Sequence, residues 1–444
     1  MKNPLELNAD FQYALDTLEK TRKNLFITGR AGTGKSTLLH LFKNTTRKKC
    51  VVLAPTGVAA LNVGGQTIHS FFGFPAKFMG PEDIKKRRDT RLYRQMEVLI
   101  IDEISMVRAD MIDHIDRFLR INRDNFTPFG GVQVIFFGDL FQLPPVVSTP
   151  EEVQFFQTYY ESPFFFSAKI FQEPIKGSNT YQEGRQPEGF ALEGLELGKV
   201  YRQEARHFIR LLDSVRMNDI DYDDLDDLNE RHQPNFNEKD YFITLSPRNA
   251  VVDEINNREL RNLTLEEFTY IAEISGGYEM KQFPTETALR LKMGAQVMFV
   301  KNDVKREYVN GTIGKIVTLE PHRIVVQTED KDGSLRNIEV EKQTWEILKY
   351  KINESDSSKI DSESIGSFKQ YPLRLAWAIT IHKSQGKTFD KVIIDLTGGA
   401  FEHGQTYVAL SRCRTLQGIV LKQKIRPQDI RVDERIIEFY DRNF

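Results

Sequence analysis

Gly29-Arg30-Ala31-Gly32-Thr33-Gly34-Lys35-Ser36 is the stretch that decides the fold. It lies between an apolar, strand-like run at residues 25–28 and a helix-like segment at residues 36–42. A strand, a glycine-rich loop and a helix with Lys-Ser at this spacing are typical of a P-loop. The glycines let successive backbone N–H groups turn towards phosphates, and the helix N-terminus adds a partial positive charge. An ordinary glycine turn is the weaker alternative, so we expect the chain to bind a nucleoside triphosphate.

Two side chains of the loop have specific roles in this interpretation. Lys35 can reach the β- and γ-phosphates, and the hydroxyl of Ser36 can ligate Mg²⁺. The sequence therefore predicts a nucleotide bound together with Mg²⁺. The other residues that we expect to hold the nucleotide are Gly29, Ala31, Gly32, Thr33, Gly34 and Thr37.

Two later strand ends carry polar side chains that fit the same site. Asp102 and Glu103 follow an apolar run at residues 97–101, and Gln142 follows another at residues 132–137. We expect Asp102 to hold Mg²⁺ through water and Glu103 to orient or deprotonate the attacking water. Gln142 stands where a neutral amide can sense the γ-phosphate, at the carboxyl edge of a parallel sheet. Two solvated acids at a strand end are the alternative for Asp102 and Glu103.

Length and composition limit the class of protein. A chain of 444 residues should hold more than one domain, at roughly 100–200 residues each. The net charge of −2 gives no overall basic field, so any nucleic-acid surface must be a local groove. Cys50 and Cys413 lack metal-like spacing and favour a reducing compartment. The sequence has no apolar run of about 18 residues and no signal-peptide core, so we expect a cytosolic protein without a membrane span.

Alternating strand and helix patterns predict the first domain. We expect a doubly wound α/β domain over residues 1–175, with a small accessory insertion at about residues 64–95. Residues 176–194 contain several glycines and few aliphatic side chains, so we expect them to connect two domains.

The second half of the chain predicts another α/β domain and an insertion. The α/β pattern covers residues 195–307 and 372–444, and it begins with a weak strand at residues 195–200. Short alternating runs at residues 308–371 favour a small antiparallel β-barrel inserted into this domain. The predicted fold class is therefore α/β, with an accessory β domain.

The loop at residues 64–72 has a composition suited to a single nucleic-acid strand. Hydroxyl side chains, a histidine and paired aromatics stand beside glycines, which suits hydrogen bonds to phosphates and stacking on bases. An ordinary loop with core phenylalanines is an equal alternative. The residues of this loop that we expect to contact the strand are Thr67, His69, Ser70 and Phe72.

Further motifs follow the P-loop in a fixed order. They are Ala54-Pro55-Thr56-Gly57, Thr67-Ile68-His69-Ser70-Phe71, Ile101-Asp102-Glu103, Gly138-Asp139-Leu140-Phe141-Gln142-Leu143-Pro144-Pro145, Tyr201-Arg202-Gln203, Thr380-Ile381-His382-Lys383-Ser384-Gln385-Gly386 and Tyr407-Val408-Ala409-Leu410-Ser411-Arg412. This series resembles that of superfamily-one helicases of the Pif type, which are relatives of the RecD-like helicases. Residues 106–133, with Pro128-Phe129-Gly130-Gly131, resemble the extra signature of Pif-type enzymes. The resemblance extends over nearly the whole chain.

The resemblance implies a fold and an activity. The fold would be two RecA-like P-loop NTPase-type domains, and the activity that of a DNA helicase that uses ATP and Mg²⁺. It implies stimulation by single-stranded DNA, 5′-to-3′ movement, unwinding of forked or structured DNA, and action as a monomer on the strand. It also implies roles in DNA replication, repair, recombination and telomere or genome maintenance. A bacterial member would be cytoplasmic and nucleoid-associated, and a eukaryotic one nuclear or mitochondrial.

The resemblance also assigns roles that spacing alone leaves open. Gln12 resembles the adenine-reading glutamine upstream of the P-loop. Arg202 and Arg412 resemble the arginines that reach the γ-phosphate from the second domain. Gln385 and Gly386 resemble the loop that links the nucleotide to DNA. The positions that resemble DNA contacts are Thr56, His69, Thr380, His382 and Lys383.

Three alternatives stay open on the sequence alone. A P-loop kinase or GTPase-like switch would need one α/β domain and a substrate lid, and it would leave Ser411-Arg412 unexplained. A DNA-binding module without catalysis is disfavoured by Lys35 together with Asp102 and Glu103. A related motor that acts on RNA would contact phosphates and base faces in the same way.

Overall fold

The structure is a computed structural model that describes residues 8–75, 78–172, 190–237, 240–277, 283–330, 333–353 and 359–444. Most of the connector predicted at residues 176–194 lies outside these ranges. The described chain forms two parallel sheets with helices around them and three antiparallel sheets. The predicted α/β fold class is therefore confirmed. No helix in the described ranges is long and apolar enough to cross a membrane.

The first α/β unit is built on a six-stranded parallel sheet in the order β3-β2-β4-β5-β1-β6. Its strands are β1 (Asn24–Thr28), β2 (Cys50–Ala54), β3 (Gln66–Thr67), β4 (Val98–Ile101), β5 (Gln133–Phe137) and β6 (Leu192–Glu196). The helices of this part are α1 (Ala9–Lys20), α2 (Lys35–Thr45), α3 (Gly57–Val63), α4 (Ile68–Phe72), α5 (Arg91–Gln95), α6 (Ala109–Arg123), α7 (Pro150–Tyr159) and α8 (Lys169–Gln172).

Helices cover both faces of this sheet, which is why its central strands are continuous apolar runs. Phe11 and Leu18 of α1 pack with Phe42 of α2 on one face. Phe118 and Leu119 of α6 belong to the core on the other face. The sheet therefore holds the loop between β1 and α2, which is the P-loop, at one fixed edge.

Strand β6 differs from its sequence prediction. The strand expected at residues 195–200 instead spans Leu192–Glu196 and pairs in parallel with β1 of the first sheet. Pairing is decided by contacts with β1, which the local pattern of residues 195–200 does not reveal. Because β1 and β6 run in parallel, both end at the same sheet edge. Tyr201-Arg202-Gln203, which follows β6, is thereby brought beside the P-loop.

The rest of the chain contains both parallel and antiparallel strands. In chain order the strands are β7 (Ile243–Ser246), β8 (Glu267–Ile271), β9 (Glu273–Gly276), β10 (Ala288–Lys292), β11 (Gln296–Phe299), β12 (Ile313–Glu320), β13 (Arg323–Glu329), β14 (Leu335–Val340), β15 (Gln343–Ile352), β16 (Ile360–Gln370), β17 (Leu373–Leu375), β18 (Ala378–Thr380), β19 (Val392–Ile394) and β20 (Ile419–Leu421). The helices are α9 (Arg206–Met217), α10 (Tyr222–Asn229), α11 (Asn249–Asn262), α12 (Ile381–Ser384), α13 (Gln405–Ser411) and α14 (Glu434–Asn443).

The second α/β unit is a four-stranded parallel sheet in the order β18-β7-β19-β20. Helix α12 follows β18 directly, and α13 lies between β19 and β20. The last helix, α14, packs on the first unit instead. Its Phe439 stacks on Phe166 with ring centroids 4.4 Å apart, and its Tyr440 hydroxyl donates to Glu196 Oε2 at 2.5 Å.

Antiparallel strands fill the interval between β7 and β18. They form sheets in the orders β14-β13-β12-β11-β17, β15-β16-β9 and β10-β8, and none of these sheets closes on itself within the described ranges. They begin at Glu267, so they extend beyond the residues 308–371 expected from sequence. Strand β15 also reaches the first unit, because the Tyr350 hydroxyl accepts the N–H of Val52 at 3.1 Å.

Candidate nucleotide site and nucleic-acid surface

A cavity of about 730 Å³ lies where the two α/β units meet. The P-loop, the end of β4 and the loop after β5 contribute to its wall from the first unit, and the loop after α12 and the end of α13 contribute from the second. The sequence-predicted residues that line it are Ala31, Gly32, Thr33, Gly34, Lys35, Ser36, Thr37, Asp102, Glu103, Gln142, Arg202, Gly386 and Arg412. The structure thus brings most of the predicted nucleotide residues together.

The P-loop has the backbone that its glycines predict. Gly32 has a φ of +89°, and a Cβ built there would lie 2.5 Å from the Cβ of Arg202, so both conformation and space require glycine. Lys35 begins α2, and its Nζ donates to the carbonyl oxygens of Gly29 at 2.5 Å and Arg30 at 3.1 Å. Burial lowers the pKa of Lys35. The ammonium is therefore held within the loop, where a phosphate can replace these carbonyl partners.

Two buried carboxyl groups stand beside the loop. Burial, reinforced by Glu103, raises the pKa of Asp102 to about 7, and burial also raises the pKa of Glu103. Glu103 has a φ of +51°, in the left-handed region that side chains other than glycine rarely adopt. Such strain often accompanies functional sites, because the surrounding structure must maintain it.

The donor set at this point fits Mg²⁺. The hydroxyl of Ser36 and the carboxylate of Asp102 line the same cavity, and a divalent cation favours the ionised form of a buried acid. Among the described residues, no group of three or more His, Cys, Asp or Glu side chains forms a metal site.

Gln385 connects the second unit to the acidic pair, although it does not line the cavity. Its Nε2 donates to Glu103 Oε2 at 3.0 Å. Gln385 follows directly after α12, the helix that begins with the motif containing His382 and Lys383. A change at the nucleotide can therefore reach this motif through one hydrogen bond.

Asp139 is a buried acid to which the sequence analysis assigned no role. Burial alone would raise its pKa, but Arg216 and Lys35 offset this and hold the pKa below its usual value. Arg216 Nη2 lies 3.2 Å from Asp139 Oδ1, and Gln142 Nε2 donates to Asp139 Oδ2 at 3.2 Å. The guanidinium of Arg216 also lies 4.2 Å from the ring centroid of Phe141. Asp139 therefore fixes the loop that carries Gln142.

Two arginines face the cavity without a close ion pair, since no carboxylate of the described ranges lies within 4.0 Å of either guanidinium, although Glu103 and Asp139 act on Arg412 from farther away. Arg412 is 1% exposed, and its Nε and Nη2 donate to Val408 O at 2.9 Å and Ser411 Oγ at 2.7 Å. Arg202 Nη1 donates to Ser411 O at 3.0 Å. Burial lowers the pKa of Arg202 to about 9 and that of Arg412 to about 10. Both guanidinium groups are thus cations that an anionic ligand would stabilise.

Gln12 occupies a different position from the other nucleotide residues. It is exposed on α1, where its side chain interacts with Asp16, and it does not line the cavity. Phe11, Lys199 and Tyr201 also line the cavity, and sequence reasoning assigned none of them a contact with the nucleotide. The rings of Phe11 and Tyr201 meet edge to face, with centroids 6.5 Å apart.

The remaining lining residues were also missed. Gly138 opens the motif that contains Gln142 but was given no role, Thr388 follows Gly386 by two positions, and Arg414 follows Arg412 by two positions. Proximity to a motif is the only signal that could have found them. Gly29, in contrast, was predicted and contributes its carbonyl to Lys35 without lining the cavity.

Three predicted DNA contacts share one local structure. Thr56, Thr67 and Thr380 each precede a short helix, and each hydroxyl accepts the N–H of the residue three positions later at 3.2 Å. Thr56 and His69 line a second cavity of about 270 Å³. Two residues expected to contact a nucleic-acid strand thus line the same cavity of the first unit.

The other predicted DNA contacts differ in accessibility. Ser70 is exposed, and Lys383 is exposed at the end of α12. His382 is half-buried and lies 3.3 Å from Glu402 Oε2. Phe72 is fully buried, and its ring packs against Phe118 at 5.1 Å. Phe72 therefore belongs to the core, which is the alternative that the sequence left open, and it cannot stack on a base in this structure.

Comparison with known proteins identifies the family. Residues 7–172 match the model of the PIF1-like helicase family, and residues 280–319 match that of the DNA helicase Pif1 2B domain. The ATP-dependent DNA helicase Pif1 of Bdellovibrio bacteriovorus is 33% identical over 449 residues, which cover 98% of this chain and 92% of that protein. The chain belongs to the PIF1-like helicase family.

Two solved structures of one relative allow the arrangement of this chain to be compared with different bound states. Bacteroides sp Pif1 in complex with ADP-AlF4 has a TM-score of 0.87 and 38% identity, with 99% of this chain and 97% of that chain covered. Bacteroides Pif1 bound to ssDNA has the same identity and coverage but a TM-score of 0.68. The arrangement described here is thus closer to the ADP-AlF4 complex. The human PIF1 helicase, 34% identical, is longer, and this chain spans 61% of it.

Proposed function

We propose that this chain is an ATP-dependent DNA helicase whose ATP hydrolysis is stimulated by single-stranded DNA and drives 5′-to-3′ movement. One observation carries the proposal. Arg202 and Arg412 line the P-loop cavity together with Lys35, and their hydrogen-bond partners in the described ranges are neutral oxygens. Guanidinium groups buried without an anion are unfavourable, so a phosphate bound between the two units stabilises their approach.

The catalytic roles follow from the geometry of the first unit. Lys35 binds the β- and γ-phosphates in place of its carbonyl partners, and Ser36 and Asp102 hold Mg²⁺. When bound, Mg²⁺ neutralises charge on the phosphate oxygens. Glu103 orients or deprotonates the attacking water, and the amide of Gln142 senses the γ-phosphate.

Two arginines complete the site, Arg412 from the second unit and Arg202 from the loop that follows β6 of the first sheet. Arg202 and Arg412 stabilise charge that develops on the transferred γ-phosphoryl group, a contribution that depends on closure of the cavity. Loss of the γ-phosphate removes the anion between the units, so the cavity reopens. The hydrogen bond from Gln385 to Glu103 couples the open and closed states of the cavity to the motif on α12. The units can then grip a strand alternately.

We place the strand on residues of both units. Thr56, Thr67, His69 and Ser70 would contact it from the first unit. Thr380, His382 and Lys383 would contact it from the second. Single-stranded and forked DNA are the proposed partners, since solved structures describe Bacteroides Pif1 bound to ssDNA and DNA unwinding by Pif1 helicases at forked dsDNA. Because the net charge is only −2, we expect this local groove to account for binding.

The proposed arrangement also includes domain limits and a cellular setting. The limits that we propose start from those expected from the sequence, with residues 1–175 as the first RecA-like domain, residues 195–307 with 372–444 as the second and residues 308–371 as the accessory insertion. We add β6 and α14 to the first domain, because β6 pairs with β1 and α14 packs on the first unit, and we extend the insertion back to Glu267, where the antiparallel strands begin. We propose that the chain acts as a monomer on the strand, in replication, repair, recombination and telomere or genome maintenance. It would act at the bacterial nucleoid, or in a nucleus or mitochondrion.

The test is ATP hydrolysis measured with single-stranded DNA, with RNA and with neither, followed by unwinding of forks with one 5′ or one 3′ tail. We expect strong stimulation by DNA and opening of the 5′-tailed fork alone. A fork of equal duplex length without a tail is the matched control. Equal stimulation of hydrolysis by RNA would contradict the proposal that DNA is the specific substrate. Opening of the 3′-tailed fork would contradict 5′-to-3′ movement. If neither DNA nor RNA stimulated ATP hydrolysis, the proposed helicase activity would be refuted.

A further inference from the structure

Tyr407 joins the two α/β units at the wall of the nucleotide site. It lies on α13 (Gln405–Ser411), the helix that ends at Arg412, and it is buried. Its hydroxyl accepts the N–H of Ala31, in the P-loop, at 2.9 Å. The same hydroxyl donates to Asp139 Oδ2 at 3.4 Å. One side chain of the second unit therefore contacts two separate loops of the first.

These contacts use both capacities of the hydroxyl. A tyrosine hydroxyl has one proton to donate and lone pairs that accept, and here Asp139 receives the proton while Ala31 supplies an N–H. Burial raises the pKa of Tyr407 above its usual value, so the group stays protonated. Asp139 is held in turn by Arg216 and Gln142, each at 3.2 Å. The hydroxyl therefore connects the P-loop to the loop that carries the γ-phosphate sensor.

A close backbone approach fixes the other end of α13 on the same loop. Gly404, just before the helix, has a φ of +72°, and a Cβ there would lie 2.4 Å from the carbonyl oxygen of Gln142 and 2.5 Å from that of Phe141. Gly404 and Tyr407 are three positions apart, so they face the first unit from one helical turn. Two neighbouring contacts thus determine where α13 stands relative to the first unit.

We propose that Tyr407 is a positioning residue for ATP hydrolysis. Its contacts with Ala31 and Asp139 hold α13 in place and so position Arg412 beside the P-loop. This inference rests on the proposed function, in which Arg412 stabilises the transferred phosphoryl group. Without the hydroxyl, the N–H of Ala31 and the carboxylate of Asp139 each lose a partner, and α13 is free to shift. The guanidinium of Arg412 then leaves the position at which it can act.

The first test is Tyr407→Phe, which removes only the hydroxyl. We expect kcat with saturating single-stranded DNA to fall about 10- to 100-fold, the effect typical of a lost buried hydrogen bond. KM for ATP and the affinity for a fluorescent nucleotide should stay within about twofold, because Lys35 and the rest of the P-loop remain. Tyr270→Phe is the matched control, since it removes a tyrosine hydrogen bond to Glu320 O at 2.7 Å in the antiparallel sheets. We expect the control to keep its kcat.

The second test asks whether Tyr407 acts through Arg412. If it does, Tyr407→Phe should cause little further loss of kcat in an Arg412→Lys background, because coupled residues are not additive. Full additivity would overturn the inference. So would an unchanged kcat in Tyr407→Phe, or a parallel loss of nucleotide affinity and thermal stability, which would make the hydroxyl merely structural. The wild-type chain separates the two proposals, because a lack of DNA stimulation there contradicts the helicase and not Tyr407.

Discussion

The two α/β units share one local structure and differ in how they meet a phosphate. In each unit a threonine at or just after the end of a strand caps the next helix, Thr56 before α3 and Thr380 before α12, with the same 3.2 Å hydrogen bond. In the described ranges the P-loop, whose backbone can surround phosphates, belongs to the first unit. The second contributes a buried arginine, Arg412, at the end of α13. The shared part suits a common strand, and the differing parts suit one nucleotide between them.

The largest effect in this comparison should come from Arg412→Ala. The P-loop supplies one lysine, and the arginine from the other unit neutralises charge that the lysine cannot reach, so kcat with DNA should fall by about 10³–10⁵. Arg412→Lys keeps the charge but loses the planar fork, so we expect it to fail less completely. The measurement is DNA-stimulated hydrolysis, with fluorescent nucleotide affinity in parallel. Arg426→Ala, at an exposed arginine that pairs with the buried carboxylate of Asp429 away from the nucleotide cavity, is the control.

Near-normal kcat in Arg412→Ala would contradict a role for the second unit in the chemistry. Loss of kcat together with a comparable loss in Arg426→Ala would point to a general fault in folding of this unit. The difference between Arg412→Lys and Arg412→Ala separates a need for charge from a need for guanidinium geometry.

Lys35→Ala tests the other half of the comparison. It removes an ammonium from the β- and γ-phosphates, and we expect hydrolysis to fall by about 10³-fold. Single-strand binding, measured by anisotropy of a labelled oligonucleotide, should persist because Lys35 lies in the nucleotide cavity. Lys20→Ala, on the exposed face of α1 where the side chain pairs with Asp16, should change neither property. Retained turnover in Lys35→Ala would refute the assignment of the loop.

The sequence was sufficient to predict those site residues that lie close together along the chain. The P-loop, Asp102 and Glu103 are contiguous with their strands, so a short window contains the whole signal. Asp139 and Arg216 are 77 positions apart, and Ala31 and Tyr407 are 376 apart, so no spacing reveals either pair. Such contacts depend on the tertiary arrangement of several elements.

Two structural errors have the same cause. Strand β6 joins the first sheet because its backbone pairs with β1, a choice that local alternation does not encode. Phe72 is an aromatic residue beside glycines, which suits base stacking. In the structure, however, α4 directs its side chain into the core, where it packs against Phe118. Whether an aromatic side chain in a short helix is buried depends on which other elements pack against that helix. The alternative of core phenylalanines could be decided only by the fold.

An intermediate effect is expected from Gln385→Ala. This change removes the 3.0 Å hydrogen bond to Glu103 and with it a direct link between the α12 motif and the catalytic acid. The ratio of DNA-stimulated to basal hydrolysis should fall about tenfold, within the range typical of coupling between sites. Gln142→Ala offers a contrast, since a γ-phosphate sensor should affect both rates together. An unchanged ratio in Gln385→Ala would show that DNA signals to the nucleotide by another route.

The smallest effect should come from Tyr350→Phe, which has the same chemistry as Tyr407→Phe at a different contact. The Tyr350 hydroxyl, on β15, accepts the N–H of Val52 at 3.1 Å and is buried against the first unit, far from Lys35 in sequence and outside the nucleotide cavity. Its loss should cost about 1–3 kcal/mol of stability, because a buried N–H is left unpaired. We expect a lower melting temperature by calorimetry and a DNA-stimulated kcat within about twofold of the wild type. A kcat that falls as far as in Tyr407→Phe would mean that the antiparallel sheets, and not only the two α/β units, control hydrolysis.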